Sequence, residues 1–130
     1  MGGAVELGPT VSMLDIETVA SEGRQTLVLG GELEITTAGK LQSLVVRLCA
    51  DGARSVALDI TRLTFMDSAG LQAILSAHRV CRDHGMGFML SPPRGVVRRV
   101  FEITGMMYAL PFGHVVELNR GNPGERGAES

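Results

Sequence analysis

From Val11 to Val19 the chain alternates imperfectly, with Leu14, Ile16 and Thr18 on one side and Asp15 and Glu17 on the other, as a half-exposed strand does. Ser21-Glu22-Gly23 then reads as a turn, and Gln25-Thr26-Leu27-Val28-Leu29-Gly30 as a second strand. The short connection favours an antiparallel hairpin. Gly31-Glu32-Leu33-Glu34 is expected to leave the strand, and Thr36 or Thr37 to cap a helix. Leu41, Leu44, Val45, Leu48 and Cys49 of that helix follow the 3.6-residue period. After a helix exit at Asp51-Gly52-Ala53-Arg54, the run Ser55-Val56-Ala57-Leu58-Asp59-Ile60 predicts a largely buried strand. A second helix begins at Ser68, with Leu71, Ile74, Leu75, His78 and Cys81 on one face, and ends near His84-Gly85. Phe88-Met89-Leu90 is a short strand, and Ser91-Pro92-Pro93 is read as the start of a third helix burying Val96, Val97, Val100 and Phe101. Thr104-Gly105 ends it, and His114-Val115-Val116-Glu117-Leu118 is a weak last strand.

Alternation of strands and helices from Gln25 onward predicts an α/β fold with parallel crossovers, which the opening hairpin turns into a mixed, mostly parallel sheet. Four to five strands and three to four helices are expected in a single domain over residues 11–118. Residues 1–10 form a loose arm and the Gly- and charge-rich residues 119–130 a disordered tail.

Composition narrows the function. With 130 residues, 45% hydrophobic and 20% charged, the chain suits one domain with a real core. A formal net charge of -2 supplies no global basic field for nucleic acid or anionic lipid. No apolar run approaches the roughly 20 residues that span a bilayer, and the N-terminus lacks the basic and apolar segments of a secretion signal, so a cytoplasmic protein is the expectation. There is no Trp, and four Phe and one Tyr leave few stacking platforms for bases or sugars. Cys49 and Cys81 fall on predicted helices among apolar residues and read as buried free thiols.

The densest chemical signal is Leu63-Thr64-Phe65-Met66-Asp67-Ser68-Ala69-Gly70-Leu71, where an apolar run stops at an Asp-Ser pair and a helical pattern begins. Both residue types accept hydrogen bonds from unpaired N–H groups at a helix start. The Ser68 hydroxyl is therefore a plain cap, whose replacement by Ala costs about 1 kcal/mol, or a serine that a modifying enzyme or partner protein reaches, or both. Catalysis is not expected, because the Gly-x-Ser-x-Gly elbow is absent and no His stands in the context of a base. His78 and His84, six apart, sit about 120° from one another on a helix, so they and His114 make no metal set. Gly85-Met86-Gly87 precedes a strand rather than a helix and reads as a tight turn, not a phosphate loop. Arg94, Arg98 and Arg99 form a basic cluster, read first as a solvated face and second as a partner or anion contact. Met86, Met89, Met106 and Met107 read mostly as core filler, with Met106-Met107-Tyr108 as an exposed apolar patch if the last strand is weak.

Four segments together resemble the STAS domain family, and within it the bacterial anti-sigma factor antagonists switched by serine phosphorylation. They are Gly30-Gly31-Glu32-Leu33-Glu34, Leu58-Asp59-Ile60 through Phe65-Met66-Asp67-Ser68-Ala69-Gly70-Leu71, Gly85-Met86-Gly87-Phe88-Met89-Leu90, and Val97-Arg98-Arg99-Val100-Phe101-Glu102-Ile103-Thr104-Gly105. The resemblance implies Ser68 as phosphoacceptor and Glu32, Glu34, Asp67, Ser68, Ala69 and Gly70 as partner-binding residues. It implies an anti-sigma factor with serine kinase activity as partner and a serine phosphatase that resets the switch. It calls for no cofactor, no direct nucleic-acid contact and no membrane insertion, and it allows a weak homodimer. Two positions depart from the family pattern: Ala69 stands where Ser or Thr is common, leaving Ser68 as the one hydroxyl there, and Glu34 stands where Asp is common. The resemblance also admits a STAS module of a transport or sensory assembly, with no phosphorylation and a structural Ser68.

Overall fold

The structure is a computed structural model that describes residues 11–113 and 115. Strand β1 (Leu14–Ser21) pairs antiparallel with β2 (Arg24–Leu33). Glu22 and Gly23 close the hairpin with φ of 54° and 87°. Positive φ at both central residues gives the turn a twist that matches the strands it joins. Helix α1 (Ala38–Ala50), β3 (Ser55–Met66), α2 (Ser68–Asp83), β4 (Gly87–Leu90) and α3 (Gly95–Ile103) follow, then a 3-10 turn at Met106–Tyr108. The sheet order is β1-β2-β3-β4, with β2, β3 and β4 mutually parallel. The expected mixed, mostly parallel α/β sheet is thus observed.

The helices cover one face of the sheet. Leu27, Leu29 and Leu33 of β2 and Val56, Leu58 and Ile60 of β3 meet Leu41 and Val45 of α1, Leu71, Ile74 and Cys81 of α2, and Val97 and Phe101 of α3 in one core cluster. Thr26, Val28, Ala57 and Asp59 alternate onto the opposite face and are buried there.

Three expectations need correction. The second strand runs on to Leu33 and the third to Met66, so Gly31-Glu32-Leu33 stays in the sheet, with Glu32 opposite Phe65 and Leu33 opposite Met66. Register shifts after Val28 and Gly31 break the alternation that would have revealed this. Gly31 holds φ of 98°, and a Cβ there would stand 2.3 Å from the Met13 carbonyl oxygen, so the bulge needs glycine. The third helix begins at Gly95 rather than at Ser91-Pro92-Pro93. Ser91 and Pro92 each precede a proline, which pushes them out of the helical region. With that shift Val96 leaves the buried stripe and is exposed, while Val97 and Phe101 carry it. The expected arm at residues 1–10 and tail at 119–130 lie outside the described residues, as does the last strand apart from Val115. Phe112 already pairs with Leu90 in parallel.

Candidate functional site

The site lies where β2 and β3 end together and α2 begins. Asp67, with φ of -112° and ψ of -170°, is the N-cap of α2, and its Oδ1 accepts from the Gly70 N–H at 2.9 Å. Its Oδ2 accepts from the Ile35 N–H at 3.3 Å, across a separation of 32 residues. One carboxylate therefore caps the helix and ties it to the β2–α1 loop. Ser68 is the first helical residue and is exposed; among the described residues its hydroxyl has no hydrogen-bond partner. The reading of Ser68 as the cap is overturned: Asp67 takes that role because its extended backbone aims the carboxylate at the third N–H of the helix.

Gly70 fixes how closely α2 approaches the sheet. A Cβ on it would sit 2.1 Å from the Leu33 carbonyl oxygen and 2.8 Å from the Met66 Cγ, so only glycine fits. Ala69 beside it is half-buried.

The β2–α1 loop is braced from within. Thr37 occupies the N-cap position of α1 but makes no cap bond; its Oγ1 accepts from the Glu34 N–H at 3.0 Å and donates to the Glu32 carbonyl at 2.7 Å. The Glu34 carboxylate accepts from the Thr36 N–H and from the Thr36 hydroxyl. The Ser12 hydroxyl, then Thr36 and the Ile35 N–H, hold that carboxyl below the usual glutamate range, against an opposing push from burial. Ile35 N–H thus lies between Glu34 and Asp67. Glu32 turns toward β1, where its Oε1 accepts from the Met13 N–H at 2.8 Å. Asp67, Ser68, Ala69, Gly70 and Glu34 are brought together through these bonds, while the Glu32 carboxylate points to Met13 instead. Among the described residues no ion pair engages Glu32, Glu34 or Asp67.

Two site residues escaped the sequence reading. Ile35 is 73% exposed beside the N–H that meets Asp67, and Phe65 is 44% exposed two residues before it. Met13, tied to Glu32, is exposed as well. Exposed apolar side chains near acidic ones are the kind of residue that protein contacts use. A strand that ran on past Ile60 with a shifted register would have flagged Phe65; nothing in the local pattern marks Ile35.

The other candidates resolve individually. His78 stacks on Phe88 at 5.1 Å, and burial, helped by Arg82, lowers its pKa. His84 Nδ1 lies 2.8 Å from the Val80 carbonyl, and His114 is outside the described residues. Among the described residues no group of three or more His, Cys, Asp or Glu is placed to hold a metal. Cys49 and Cys81 are free; Cys81 is fully buried, Cys49 only half, which corrects the expectation for the latter. Burial and the neighbouring Cys49 push the Cys81 thiol up to about 12. Arg98 pairs with Glu102 at 2.8 Å, as a solvated helix face would. Tyr108 is almost fully exposed, whereas Met106 and Met107 pack on the core edge. No helix among the described residues is long and apolar enough to cross a membrane.

The sequence profile of the STAS domain matches residues 15–117, most of the chain. The chain belongs to the STAS domain family. Among curated relatives, this STAS domain is 26% identical to the anti-sigma-B factor antagonist of Staphylococcus aureus over 72% of its own length and 86% of the relative's. It is similar to the crystal structure of an anti-sigma factor antagonist from Mycobacterium paratuberculosis, with a TM-score of 0.70 at 21% identity over 81% of this chain and 89% of that one. It also resembles the anti-sigma factor antagonist SpoIIAA in its unphosphorylated form, with a TM-score of 0.63 at 20% identity over 83% and 94% of the two chains. The Bacillus cell fate determinant SpoIIAA in its phosphorylated form scores 0.63 at 21% identity over 83% and 96%.

Proposed function

We propose that this STAS domain is an anti-sigma factor antagonist, a non-enzymatic cytoplasmic binding module switched at Ser68. Unphosphorylated, it binds an anti-sigma factor that is also a serine kinase and so frees a sigma factor; phosphorylation of Ser68 ends the contact and a serine phosphatase restores it. The observation that carries the reading is the exposed Ser68 hydroxyl, unpartnered at the first position of α2 while Asp67 does the capping. The hydroxyl can be modified without removing a bond that the fold uses.

Phosphorylation adds about -1.5 to -2 charges. The α2 N-terminus favours them by about 0.3 to 1 kcal/mol, and Asp67 opposes them by about 1 kcal/mol per charge pair through water. These terms nearly cancel, so the fold is retained. At an interface formed with Ile35 and Phe65, however, a double charge facing a pocket shaped for a hydroxyl costs roughly 2 to 5 kcal/mol, or about thirtyfold or more in affinity. Glu32 and Glu34 add acidic character, which suits a partner with basic residues around an apolar centre.

The test is incubation with ATP and the anti-sigma kinase, read by mass spectrometry and by binding. A gain of about 80 Da at Ser68 is expected. Ser68→Ala should accept no phosphate and stay bound, and Ser68→Asp should bind about thirtyfold more weakly without unfolding. Ser68→Asp binding as tightly as wild type sinks the switch. No phosphate on wild-type Ser68 favours a STAS interaction module of a transport or sensory assembly.

A further inference from the structure

Seven residues back along β3 from Met66, about 20 Å of extended strand from the serine, a second polar feature lies on the face of the sheet that the helices do not cover. Leu58 and Ile60 turn into the core, so Asp59 between them turns the other way. It is only 1% exposed. Its Oδ1 accepts from the Thr61 N–H at 3.0 Å and from the Thr61 hydroxyl at 2.7 Å. Its Oδ2 is buried and has no hydrogen-bond partner. A buried carboxylate oxygen without a donor is costly, and native proteins rarely leave one unmet.

Asp59 is one wall of a cleft of about 390 Å³ lined by Asp59, Thr61, Ser91, Pro92, Pro93, Arg94 and Val115. Ser91 is locked in the wall, with its N–H donating to the Leu58 carbonyl at 2.9 Å and its Oγ accepting from the Ile60 N–H at 2.8 Å. Across the cleft the charge reverses. Arg94 is the N-cap of α3 and supplies no side-chain acceptor, so the first N–H groups of that helix are left uncapped beside a guanidinium. The cleft therefore pairs a buried, unmet acceptor at one pole with the Arg94 cation at the other.

From this two-pole cleft we propose a binding site for a small zwitterion of the free amino acid class, its ammonium donating to the Asp59 carboxylate and its carboxylate held by Arg94. The volume, at the lower end of the range of about 300 to 1,000 Å³ of ordinary ligand pockets, leaves room for a molecule of that size. The extended Ser91-Pro92-Pro93 segment, rigid on both sides of Pro92, holds the two poles at a fixed spacing. The site is independent of Ser68 and gives the domain a way to respond to a small molecule.

The test is a titration of the full chain followed by amide chemical shifts, with glycine, L-alanine and γ-aminobutyrate as probes and ethylammonium chloride and sodium acetate as single-pole controls. Saturable shifts at residues 59–61, 91 and 94–97, in roughly the millimolar range, are expected for at least one zwitterion, with each control about tenfold weaker or more. Asp59→Asn should abolish them. Because Asp59 is buried and the variant can fail to fold, Arg94→Ala, an exposed change, should weaken binding about tenfold with an unchanged melting curve. No saturable shift with any zwitterion means that water alone meets Asp59 and overturns the site. A control binding as tightly as the zwitterions, or Arg94→Ala binding like wild type, overturns the two-pole arrangement.

Discussion

Asp67 and Ser68 are adjacent, and both are residue types that cap helices, so replacing each in turn separates a structural role from a functional one. Asp67→Ala removes the cap bond to Gly70 at 2.9 Å, worth about 1 kcal/mol. It also removes the longer, more exposed bond from Ile35 at 3.3 Å, worth about 0.5 kcal/mol. The sum is about 1.5 kcal/mol. For a domain of this size that lowers the Tm by about 6 °C. Ser68→Ala deletes a hydroxyl with no partner and puts the best helix former at the first helical position, so stability should stay within about 0.5 kcal/mol of wild type. Asp67→Asn, which keeps an acceptor of equal capping strength, should recover most of the loss. Far-UV circular dichroism with urea is the suitable assay, because the chain has no Trp and its one Tyr is 96% exposed and a poor reporter of unfolding. If Ser68→Ala costs as much as Asp67→Ala, the capping assignment is wrong, and with it the argument that Ser68 is free for modification.

Two further outcomes test the platform under the serine. Gly70→Ala places a methyl 2.1 Å from the Leu33 carbonyl and should destabilise by about 2 to 3 kcal/mol, read as a lower urea midpoint; a neutral result would show that α2 stands further from the sheet. The Glu34 carboxyl is held below its ordinary value of 4.5, so the folded state favours the ionised form. That contribution is fully present above pH 4.5 and is lost as pH falls from there through the lower folded value. Glu34→Gln should therefore narrow its stability gap to wild type as the pH drops below 4.5, and a gap constant with pH would contradict the bonding around Glu34.

Much of the fold was legible because its signals are periodic and local. Leu41 and Val45, Leu71 and Ile74, and Val97 and Phe101 recur at helical spacing, and each pair lands in the core. The far halves of β2 and β3 were hidden because the register shifts around Gly30 and Gly31 break the period of two there. A single Pro at N1 would favour a helix start at Ser91, but the second proline pushes the residue before it out of the helical region and delays the start to Gly95. Within the site, the chemistry was legible and the geometry was not. The Asp-Ser pair announces a helix start, but the side chain that caps depends on backbone angles that no residue count supplies. The same limit applies to Asp59, which reads as a polar break in a buried strand until its second oxygen is found without a donor.

The bonds around Ser68 also explain why a switch there would act on affinity rather than shape. Asp67 joins α2 to the β2–α1 loop, Thr37 closes that loop on Glu32 and Glu34, Glu32 holds Met13, and Gly70 presses α2 onto Leu33. Each anchor uses a different residue, and none uses the Ser68 hydroxyl. A charge added there finds every structural bond already made by another group, so it has nothing in the domain to break. Its electrostatic effect is then felt by whatever covers Ile35 and Phe65, the exposed apolar side chains that a partner would have to desolvate. Rigidity of the platform is what converts a local change of charge into a change of binding: a loop free to swing the phosphate into solvent would relieve the repulsion, and a loop tied at Ile35, Thr37 and Gly70 cannot.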